Sequence, residues 1–418
     1  MTHRNPPGKR PSRTDIEPIA GAVSMRAMNR GIILRLIWSR AEISRADIAR
    51  DTGLSRSTVS AIVNDLETMG LVHDMGPGDS RGGRRPILLA FRDDIYHLVG
   101  VDLGASHIGV AVSNLRGRVL SWQQVLHPVR DDPSGTLLKT QSLIEAGLKS
   151  AGTDIGRQLL GIGIAVPSPV DHRQPDRVSA LVLPQWLDQP VGEWFRSRFN
   201  TPVFIENDAN LGALAEQWWG AGKDGRDLSY VKVGTGLGSG HIIEGEMYRG
   251  ASGVAGEIGH ICLDPHGPEC ICGLKGCLVT FVGARALLTK ATKAWPEGDT
   301  PPTNIHQLVE AAVGGNDVAR AVVVEAGEFL GIAAANLVNL LNPATVVLGG
   351  GLTLAGDLLL DSMNAVLKRR ALWTNLSETR VVLSELGEQA TAMGACTLVL
   401  KEALADHTLF PTQHQALG

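Results

Sequence analysis

The strongest constraint on how this chain folds is a cluster of four potential metal ligands within eighteen residues: His260, Cys270, Cys272 and Cys277. Zn²⁺ binds thiolates and imidazoles tetrahedrally, and a set of three thiolates and one imidazole favours zinc over magnesium or calcium. The alternative is a group of unrelated cysteines in a glycine-rich loop. The spacing predicts a structural Zn²⁺ site, and because Glu257 precedes it by three residues, one compact segment carries both a metal site and a ligand site.

Charge is distributed unevenly along the chain. Residues 1–92 contain 15 Lys and Arg against 9 Asp and Glu, whereas the remainder contains 24 against 34. A basic N-terminal segment on an acidic body indicates that the first ninety residues bind a polyanion, although a solvated tail would show the same excess of positive charge. The first 24 residues are expected to be a disordered basic tail.

Residues 25–76 predict three short helices followed by a strand. Ser44 and Asp47 have the spacing of a capping box, and Val59, Ile62 and Leu66 form the apolar side of a third helix that begins at Ser55. The other side would face phosphates and base edges in the major groove, as in a helix-turn-helix. The residues predicted to contact DNA here are Arg45, Ser55, Arg56, Ser57, Thr58, Ser60 and Asn64.

The segment 80–86 lies between two strand-like stretches and carries glycines and three arginines. It predicts a wing in which Arg84 and Arg85 contact DNA, with an ordinary solvated hairpin as the alternative. Residues 25–92 therefore predict a winged helix-turn-helix domain that binds operator DNA.

Beyond residue 95, apolar strands end in glycine-rich turns. Segments 96–101, 160–166 and 230–233 each precede such a turn. The repeated pattern predicts an α/β fold with the duplicated, two-lobed architecture of actin-like and sugar-kinase (ASKHA) proteins and a cleft between the lobes. Asp102 could hold Mg²⁺ through water, although an aspartate at a strand end is commonly a cap. The candidates for nucleotide or phosphate binding are Asp102, Gly104, Ser106, Gly234, Thr235, Gly236, Gly349 and Gly350.

A second polar cluster, Glu206–Asn210, follows the strand 203–205. Asp208 could accept a proton from a sugar hydroxyl, and Asn207 could bind neighbouring hydroxyls. A capped helix start would give the same sequence.

Three segments together resemble the ROK family, which groups sugar kinases with sugar-responsive repressors. They are residues 256–277, the ENDAN run at 206–210, and the winged helix-turn-helix, which stand-alone kinases of the family lack. The resemblance covers residues 25 to about 403. It implies lobes at 95–212 and 213–385, with the zinc motif in the second and a helix at about 386–404 packing back on the first. It also implies these roles: His260, Cys270, Cys272 and Cys277 as zinc ligands, Asp208 as the catalytic base of a kinase, Asn207, Glu257 and His260 with Asp208 around the sugar, and Gly349–Gly351 beside adenosine. Cys262 then lies outside the ligand set and, like Cys396, is expected to be buried.

The sequence also departs from the family pattern at three places. Val279 stands where a sugar-binding glutamate is usual, Ser168 where a glycine is usual, and Ser106-His107 where kinases have Thr-Lys. Valine cannot accept a hydroxyl hydrogen bond, so the expected ligand is a sugar that is deoxy, modified or phosphorylated there. These changes weaken the case for kinase activity more than the case for sugar binding.

The sequence therefore predicts a sugar-responsive transcriptional regulator, most simply a repressor, of carbohydrate uptake or catabolism genes. Its expected partners are operator DNA, a sugar or sugar-phosphate effector in the cleft, and further copies of itself in a dimer or tetramer. One alternative is an Mg-ATP-dependent sugar kinase with an attached DNA-binding domain. Another is a repressor controlled by a transporter protein.

The chain is expected to be cytoplasmic and not inserted in a membrane. Its first residues lack the apolar stretch of a secretory signal, and clustered cysteines suit a reducing compartment. Residues 329–356 carry no charge, but asparagines and Pro343 interrupt the run. We expect a buried helix ending at Asn342-Pro343 and a buried strand from Thr345 to Leu348.

Overall fold

The structure is a computed structural model that describes residues 22–79, 85–171, 178, 183–187, 189–223, 225–371 and 379–411. The chain divides into two compact units. The first comprises the described residues up to Arg92 together with Leu404–Thr408, and the second comprises Asp93–Ala403 and the residues from Leu409 onward. The tail at 1–21 and most of the predicted wing, including Arg84, lie outside the described residues.

The first unit is a helix-turn-helix with a small sheet, as predicted. Its elements are α1 (Ala22–Ser39), β1 (Ile43–Ser44), α2 (Arg45–Thr52), α3 (Arg56–Thr68), β2 (Val72–Pro77) and β3 (Ile87–Phe91), with sheet order β1-β3-β2. The Ser44–Asp47 capping box starts α2, and Gly53 ends it with a φ of 71°, a left-handed conformation that favours glycine. Val59, Ile62 and Leu66 of α3 are buried, so the opposite side of this helix faces outward.

The second unit contains two five-stranded sheets. Its first half consists of β4 (His97–Leu103), β5 (His107–Asn114), β6 (Val119–Leu126), α4 (Pro133–Ser150), α5 (Ile155–Gln158), β7 (Leu159–Val166), a 3-10 helix (Pro184–Trp186), α6 (Val191–Phe199), β8 (Val203–Asn207) and α7 (Asp208–Trp219). The chain continues with β9 (Leu228–Val233), β10 (Leu237–Ile243), β11 (Glu246–Tyr248), a 3-10 helix (Ile258–His260), α8 (Val279–Val282), α9 (Ala284–Ala294), α10 (Ile305–Val313) and α11 (Asp317–Leu341). It ends with β12 (Thr345–Gly349), a 3-10 helix (Gly351–Ala355), α12 (Asp357–Arg370), β13 (Arg380–Leu383), a 3-10 helix (Gly387–Gln389), α13 (Ala390–Ala405) and a 3-10 helix (His407–Leu409). The end of α13 from Leu404 and the last 3-10 helix up to Thr408 are counted with the first unit.

The two sheets share one topology. Their strand orders are β6-β5-β4-β7-β8 and β11-β10-β9-β12-β13. In each sheet the first three strands pair antiparallel and the last three pair parallel. The predicted duplication is therefore confirmed. The predicted boundary between the lobes, after residue 212, falls inside α7 and remains a prediction.

Helix α13 lies directly on the β6-β5-β4-β7-β8 sheet because glycines in that sheet leave room for it. A Cβ atom at Gly100 of β4 would lie 1.9 Å from the carbonyl oxygen of Ala392, and one at Gly163 of β7 would lie 2.1 Å from that of Ala395. Any larger residue at either position would push the helix and the sheet apart.

Helix α11 is long and apolar enough to span a membrane by length and composition, but most of its apolar window is buried inside the protein. Val323 and Leu330 of this helix share a core with Val346 and Leu348 of β12. The helix ends at Leu341 and is capped by Asn342, which has a φ of 48°. The predicted buried helix and the strand after it are therefore confirmed.

Candidate metal and ligand-binding site

The four predicted metal ligands lie together. One ligand atom from each of His260, Cys270, Cys272 and Cys277 lies within 4.8 Å of all the others. The Sγ atoms of Cys272 and Cys277 are 3.6 Å apart, and Nδ1 of His260 lies 3.5 Å from Sγ of Cys270. Burial, followed by the neighbouring thiols, raises the pKa of Cys277 to about 12. A bound cation would offset this cost of placing several thiolates together, so the group has the chemistry of a metal site.

Backbone contacts hold the segment that carries these ligands. Cys262 and Cys277 form an antiparallel bridge, as do Glu269 and Lys275. Gly276 has a φ of 65°, and a Cβ atom there would lie 1.5 Å from the carbonyl oxygen of Asp264. The turn therefore requires glycine immediately before the last ligand.

The prediction for Cys262 was wrong, because this residue is exposed. It lies opposite Cys277 in the bridge, and its thiol donates to the carbonyl oxygen of Lys275 at the surface. Cys396 is buried on α13, as predicted.

The two ring nitrogens of His260 face different neighbours. Nδ1 faces the thiols, whereas Nε2 lies 4.0 Å from Oε2 of Glu257. Desolvation of the Glu257 carboxylate, together with the negative charge of Asp208, raises the pKa of Glu257 above its ordinary value. The imidazole thus connects the metal ligands to the carboxylates of the adjacent cleft.

A cavity of about 250 Å³ opens beside this imidazole. All four predicted sugar-binding residues line it: Asn207, Asp208, Glu257 and His260. Ser168 and Val279, two of the positions that depart from the family pattern, line it as well. The cavity thus offers two carboxylates, an amide and an imidazole to one ligand, with an apolar patch at Val279.

Asn207 also caps a helix. Its Oδ1 accepts hydrogen bonds from the backbone N–H groups of Ala209 and Asn210 at 3.0 and 3.2 Å, and its Nδ2 donates to the carbonyl oxygen of Ser168 at 3.2 Å. The alternative interpretation of this segment as a capped helix start is therefore correct for its local structure. The same bonds fix the amide at the edge of the cavity.

Lys232, which the sequence analysis did not identify, binds the two carboxylates at the centre of the cleft. Its Nζ lies 2.9 Å from Oδ2 of Asp208 and 3.6 Å from Oδ1 of Asp102. Nε2 of His107 lies 3.2 Å from the other oxygen of Asp102. Burial opposes ionisation of Asp102, but Lys232 and His107 outweigh it and hold its pKa at about 2. In the sequence, this residue stands out as a charged lysine between two valines of an apolar strand.

A second cavity, of about 720 Å³, adjoins the first and shares His107, Lys232, Gly234 and Thr235 with it. The predicted nucleotide or phosphate residues divide between the two cavities. Asp102, Ser106, Gly234, Thr235 and Gly350 line the larger one, and Gly104, Gly234, Thr235 and Gly236 line the smaller one. Gly349 is not among the lining residues described. Its missing side chain makes room for the Tyr230 hydroxyl, which would lie 1.9 Å from a Cβ atom.

An ion pair between the buried Glu206 and the partly exposed Arg249 supports the end of β8. Glu206 is 1% exposed, and its Oε2 accepts from Nε of Arg249 at 2.6 Å, while its Oε1 accepts from Nδ2 of Asn210 at 3.1 Å. Arg249 follows β11, at the start of the segment that leads to Glu257. The pair therefore joins the two segments that supply the predicted sugar-binding residues, at 207–208 and 257–260. Glu206 and Arg249 are 43 residues apart, and nothing in the sequence indicates that they pair.

A buried histidine holds the segment before Glu257. Nε2 of His241 lies 3.1 Å from Oγ of Ser239, which donates to the carbonyl oxygen of Gly256, and Nδ1 lies 2.9 Å from Oγ of Ser229. This order of donors suits a neutral ring protonated on Nε2. Burial lowers the pKa of His241 to about 4.

We expect the stability of the protein to fall in mild acid because of His241. The unfolded state takes up this proton near pH 6.5 and the folded state only near 4, so the contribution is complete above pH 6.5 and is lost as the pH falls toward 4. The full loss is on the order of 3 kcal/mol. Urea unfolding between about pH 7.5 and pH 4.5 measures it. His241→Gln should remove this part of the pH dependence, whereas replacement of the exposed His266 by Gln should not; an unchanged profile for His241→Gln would contradict the assignment.

The predicted DNA-contacting side of α3 faces outward in the first unit. Ser55, Arg56, Ser57, Asn64 and Arg85 are exposed, and Thr58 and Ser60 are half-buried. Oγ of Ser55 accepts from the backbone N–H of Thr58 at 3.1 Å and therefore caps the helix. Arg45 donates to both carboxylate oxygens of Glu67 at 2.9 Å, so its guanidinium also joins α2 to α3.

Comparison with known proteins gives consistent matches for both units. The sequence model of the ROK family matches residues 98–402, and a model of winged helix-turn-helix DNA-binding domains matches residues 30–73. A xylose repressor from Caldicellulosiruptor bescii is 33% identical over 390 residues, which cover 91% of this chain and 97% of that protein.

Two solved structures are similar to the chain over different lengths. The crystal structure of a ROK family transcriptional regulator, a homolog of the E. coli MLC protein, covers 94% of this chain and 100% of its own, with a TM-score of 0.77 and 26% identity. The structure of a ROK family glucokinase from Streptomyces griseus, in complex with glucose and AMPPNP, covers 72% of this chain and 98% of its own, with a TM-score of 0.64 and 30% identity.

Proposed function

The chain belongs to the ROK family, and from that premise we propose that it is a sugar-responsive DNA-binding repressor whose effector binds in the 250 Å³ cavity. One observation carries the proposal: a winged helix-turn-helix unit with an outward-facing α3 occurs in the same chain as a cavity lined by Asn207, Asp208, Glu257 and His260. A stand-alone sugar kinase would have no use for the first unit.

The cavity suits a sugar because its polar groups come from several directions. The carboxylates of Asp208 and Glu257 can accept hydrogen bonds from hydroxyl groups, and the Asn207 amide can do the same or donate. Val279 would suit a sugar without a hydroxyl group at that point. The similarity to a xylose repressor makes xylose the first sugar to test.

We assign the four-ligand cluster to a structural Zn²⁺ ion held by His260, Cys270, Cys272 and Cys277. In a tetrahedral zinc site with ligands at about 2.0 to 2.3 Å, neighbouring ligand atoms lie roughly 3.5 to 3.8 Å apart. The contacts of 3.5 and 3.6 Å within the cluster fit this geometry. Zinc would fix the His260 ring, so that Nε2 stays directed away from the thiols and toward Glu257.

The proposed response requires coupling between effector and operator. Repressors of this kind bind two half-sites as dimers, and half-site spacing tolerates little reorientation. A sugar that binds better to one arrangement of a dimer would shift the protein toward that arrangement and change its affinity for DNA. We therefore propose a homo-oligomer that acts on operator DNA in the cytoplasm.

Asp208→Asn should weaken sugar binding about ten- to a hundredfold, because a hydrogen bond to a charged acceptor is worth about 1.5–3 kcal/mol. Calorimetric titration of the full chain with xylose, other pentoses, hexoses and sugar phosphates measures this. Asp361→Asn, an exposed residue of α12, serves as the control and should bind normally. If no sugar or sugar phosphate binds the wild-type protein, the proposal fails and a protein effector, such as a transporter component, becomes the better candidate.

A second candidate function is ATP-dependent sugar phosphorylation. The observation that favours it is the larger cavity next to the proposed sugar site, together with the similarity to a glucokinase. ADP release in the presence of Mg-ATP and each sugar distinguishes the two functions, provided that Asp208→Asn abolishes any activity.

A further inference from the structure

Lys232 lies where the two cavities meet. It lines both of them and is buried except for 17% of its side chain. Its ammonium group contacts Asp208, which lines the smaller cavity, and Asp102, which lines the larger one. The two carboxylates that a sugar kinase would need for metal binding and for proton transfer are thus bound to one side chain of the protein.

We propose that Lys232 is a built-in cation that excludes Mg²⁺ from the Asp102–Asp208 centre, so that the cleft binds sugar without transferring phosphate to it. The inference rests on the proposed function for the location of the sugar site. It concerns a residue for which neither the sequence motifs nor the family match provides a role.

The geometry of the centre does not fit a magnesium ion. Mg²⁺ requires six oxygen ligands at about 2.0–2.1 Å and usually keeps several waters. The Nζ atom of Lys232, 2.9 Å from Asp208 and 3.6 Å from Asp102, lies between the two carboxylates, where a metal ion or its bound water would have to lie. The positive charge of the ammonium group would also repel a second cation at this distance.

The same contact occupies the Asp208 carboxylate, whose Oδ2 already accepts a hydrogen bond from Nζ of Lys232 at 2.9 Å. Asp208 can still accept a hydrogen bond from a sugar hydroxyl, because that does not require proton transfer. Asp208 can therefore take part in sugar binding while Lys232 occupies the place of the metal that phosphate transfer needs.

Deprotonation does not open the centre. Burial alone would lower the pKa of Lys232, but the carboxylates of Asp102 and Asp208 outweigh it and raise the pKa above its ordinary value. The lysine therefore stays charged at physiological pH. His107 and Arg130 add basic groups around the same cleft, and Glu257 adds an acidic one.

One oxygen in the centre lacks a hydrogen bond. Oδ1 of Asp102 is buried and has no hydrogen-bonding partner among the described residues, and the Lys232 ammonium at 3.6 Å compensates it by charge alone. Without the ammonium group, the carboxylates of the buried Asp102 and the half-buried Asp208 would face the same space, and Oδ1 of Asp102 would have no compensating charge. Such a site should bind a divalent cation.

Mn²⁺ titration followed by electron paramagnetic resonance tests the inference, because bound zinc is silent in this measurement. The zinc-loaded, full-length wild-type protein should bind no Mn²⁺ in the cleft. Lys232→Met should gain one Mn²⁺ per chain, Lys232→Arg should remain without it, and adding Asp102→Asn to Lys232→Met should remove it again. Lys223→Met, which changes an exposed lysine after α7, is the control and should match the wild type.

Two results would overturn the inference. One is stoichiometric Mn²⁺ binding by the wild type that Mg²⁺ displaces and Asp102→Asn abolishes. The other is a Lys232→Met protein that is folded, with normal circular dichroism and zinc content, but gains no Mn²⁺. If the methionine variant does not fold, Lys232→Gln takes its place in the experiment. Calorimetric titration of the same samples with sugars separates the two proposals. Absence of sugar binding contradicts the proposed function, whereas the Mn²⁺ results alone decide the role of Lys232.

Discussion

Cys272→Ser should release the bound metal and abolish the sugar response in one step, while leaving the first unit able to bind operator DNA. Loss of a zinc ligand should cost more than the roughly 10- to 100-fold loss of affinity that follows mutation of an outer partner. His260 would lose the ion that holds its ring, and the sugar would lose an ordered imidazole beside Glu257. The measurements are zinc content per chain, sugar calorimetry and DNA release.

Cys262→Ser is the matched control. It removes a thiol from the same segment, at the position opposite Cys277, but outside the group of four. This variant should keep one zinc per chain and a normal sugar response. A zinc-free Cys272→Ser protein that still binds sugar and responds to it as the wild type does would break the proposed connection through His260.

Arg56→Ala should weaken operator binding by about 1–3 kcal/mol per half-site, or roughly 5- to 150-fold, with sugar affinity unchanged. Arg56 is the first residue of α3 and is exposed, and Ser55 caps the helix immediately before it. A cation at this end of the outward-facing helix is well placed for a phosphate or a guanine edge. Binding isotherms at several salt concentrations distinguish these contacts, because a lost phosphate contact reduces the salt slope by about one.

Arg92→Ala is the control for charge. Arg92 is an exposed arginine at the end of the same unit and is not among the predicted DNA contacts. It should change operator affinity much less than Arg56→Ala does. Equal effects of the two substitutions would mean that the unit binds DNA through its overall charge, and unchanged affinity in Arg56→Ala would remove α3 as the recognition helix.

The sequence predicted the parts of the site whose chemistry depends on local spacing. His260 and the three cysteines could be grouped because they lie within eighteen residues of one another, and the structure places them together. The Ser44–Asp47 capping box and the duplicated strand-and-turn pattern are likewise short-range features, and both are present in the structure.

The sequence did not predict the contacts that depend on tertiary packing. Lys232 lies in β9, whereas its partner Asp102 is the penultimate residue of β4 in the other sheet, so only the folded chain brings them together. The Arg249–Glu206 pair was missed for the same reason. Cys262 was expected to be buried because free cysteines commonly are. It is exposed instead, because it lies in a β-bridge at the surface.

The departures from the family pattern now have positions in the cleft. His107 binds Asp102, Val279 lines the smaller cavity, and Ser168 is bound through its carbonyl oxygen to Asn207. On the proposed function, with Lys232 between the carboxylates, each change would affect turnover or sugar choice more than the presence of the cavity itself.

The most direct test of the proposed function is fluorescence-anisotropy titration of the full-length protein with DNA from upstream of its own gene and of neighbouring sugar genes. The salt concentration must be fixed, because phosphate contacts make affinity strongly salt-dependent. We expect tight, sequence-specific binding that one sugar, with xylose tested first, weakens at least about tenfold, a coupling of about 1.4 kcal/mol. Tight binding that no sugar or sugar phosphate alters, or the absence of specific binding, would contradict the proposed function.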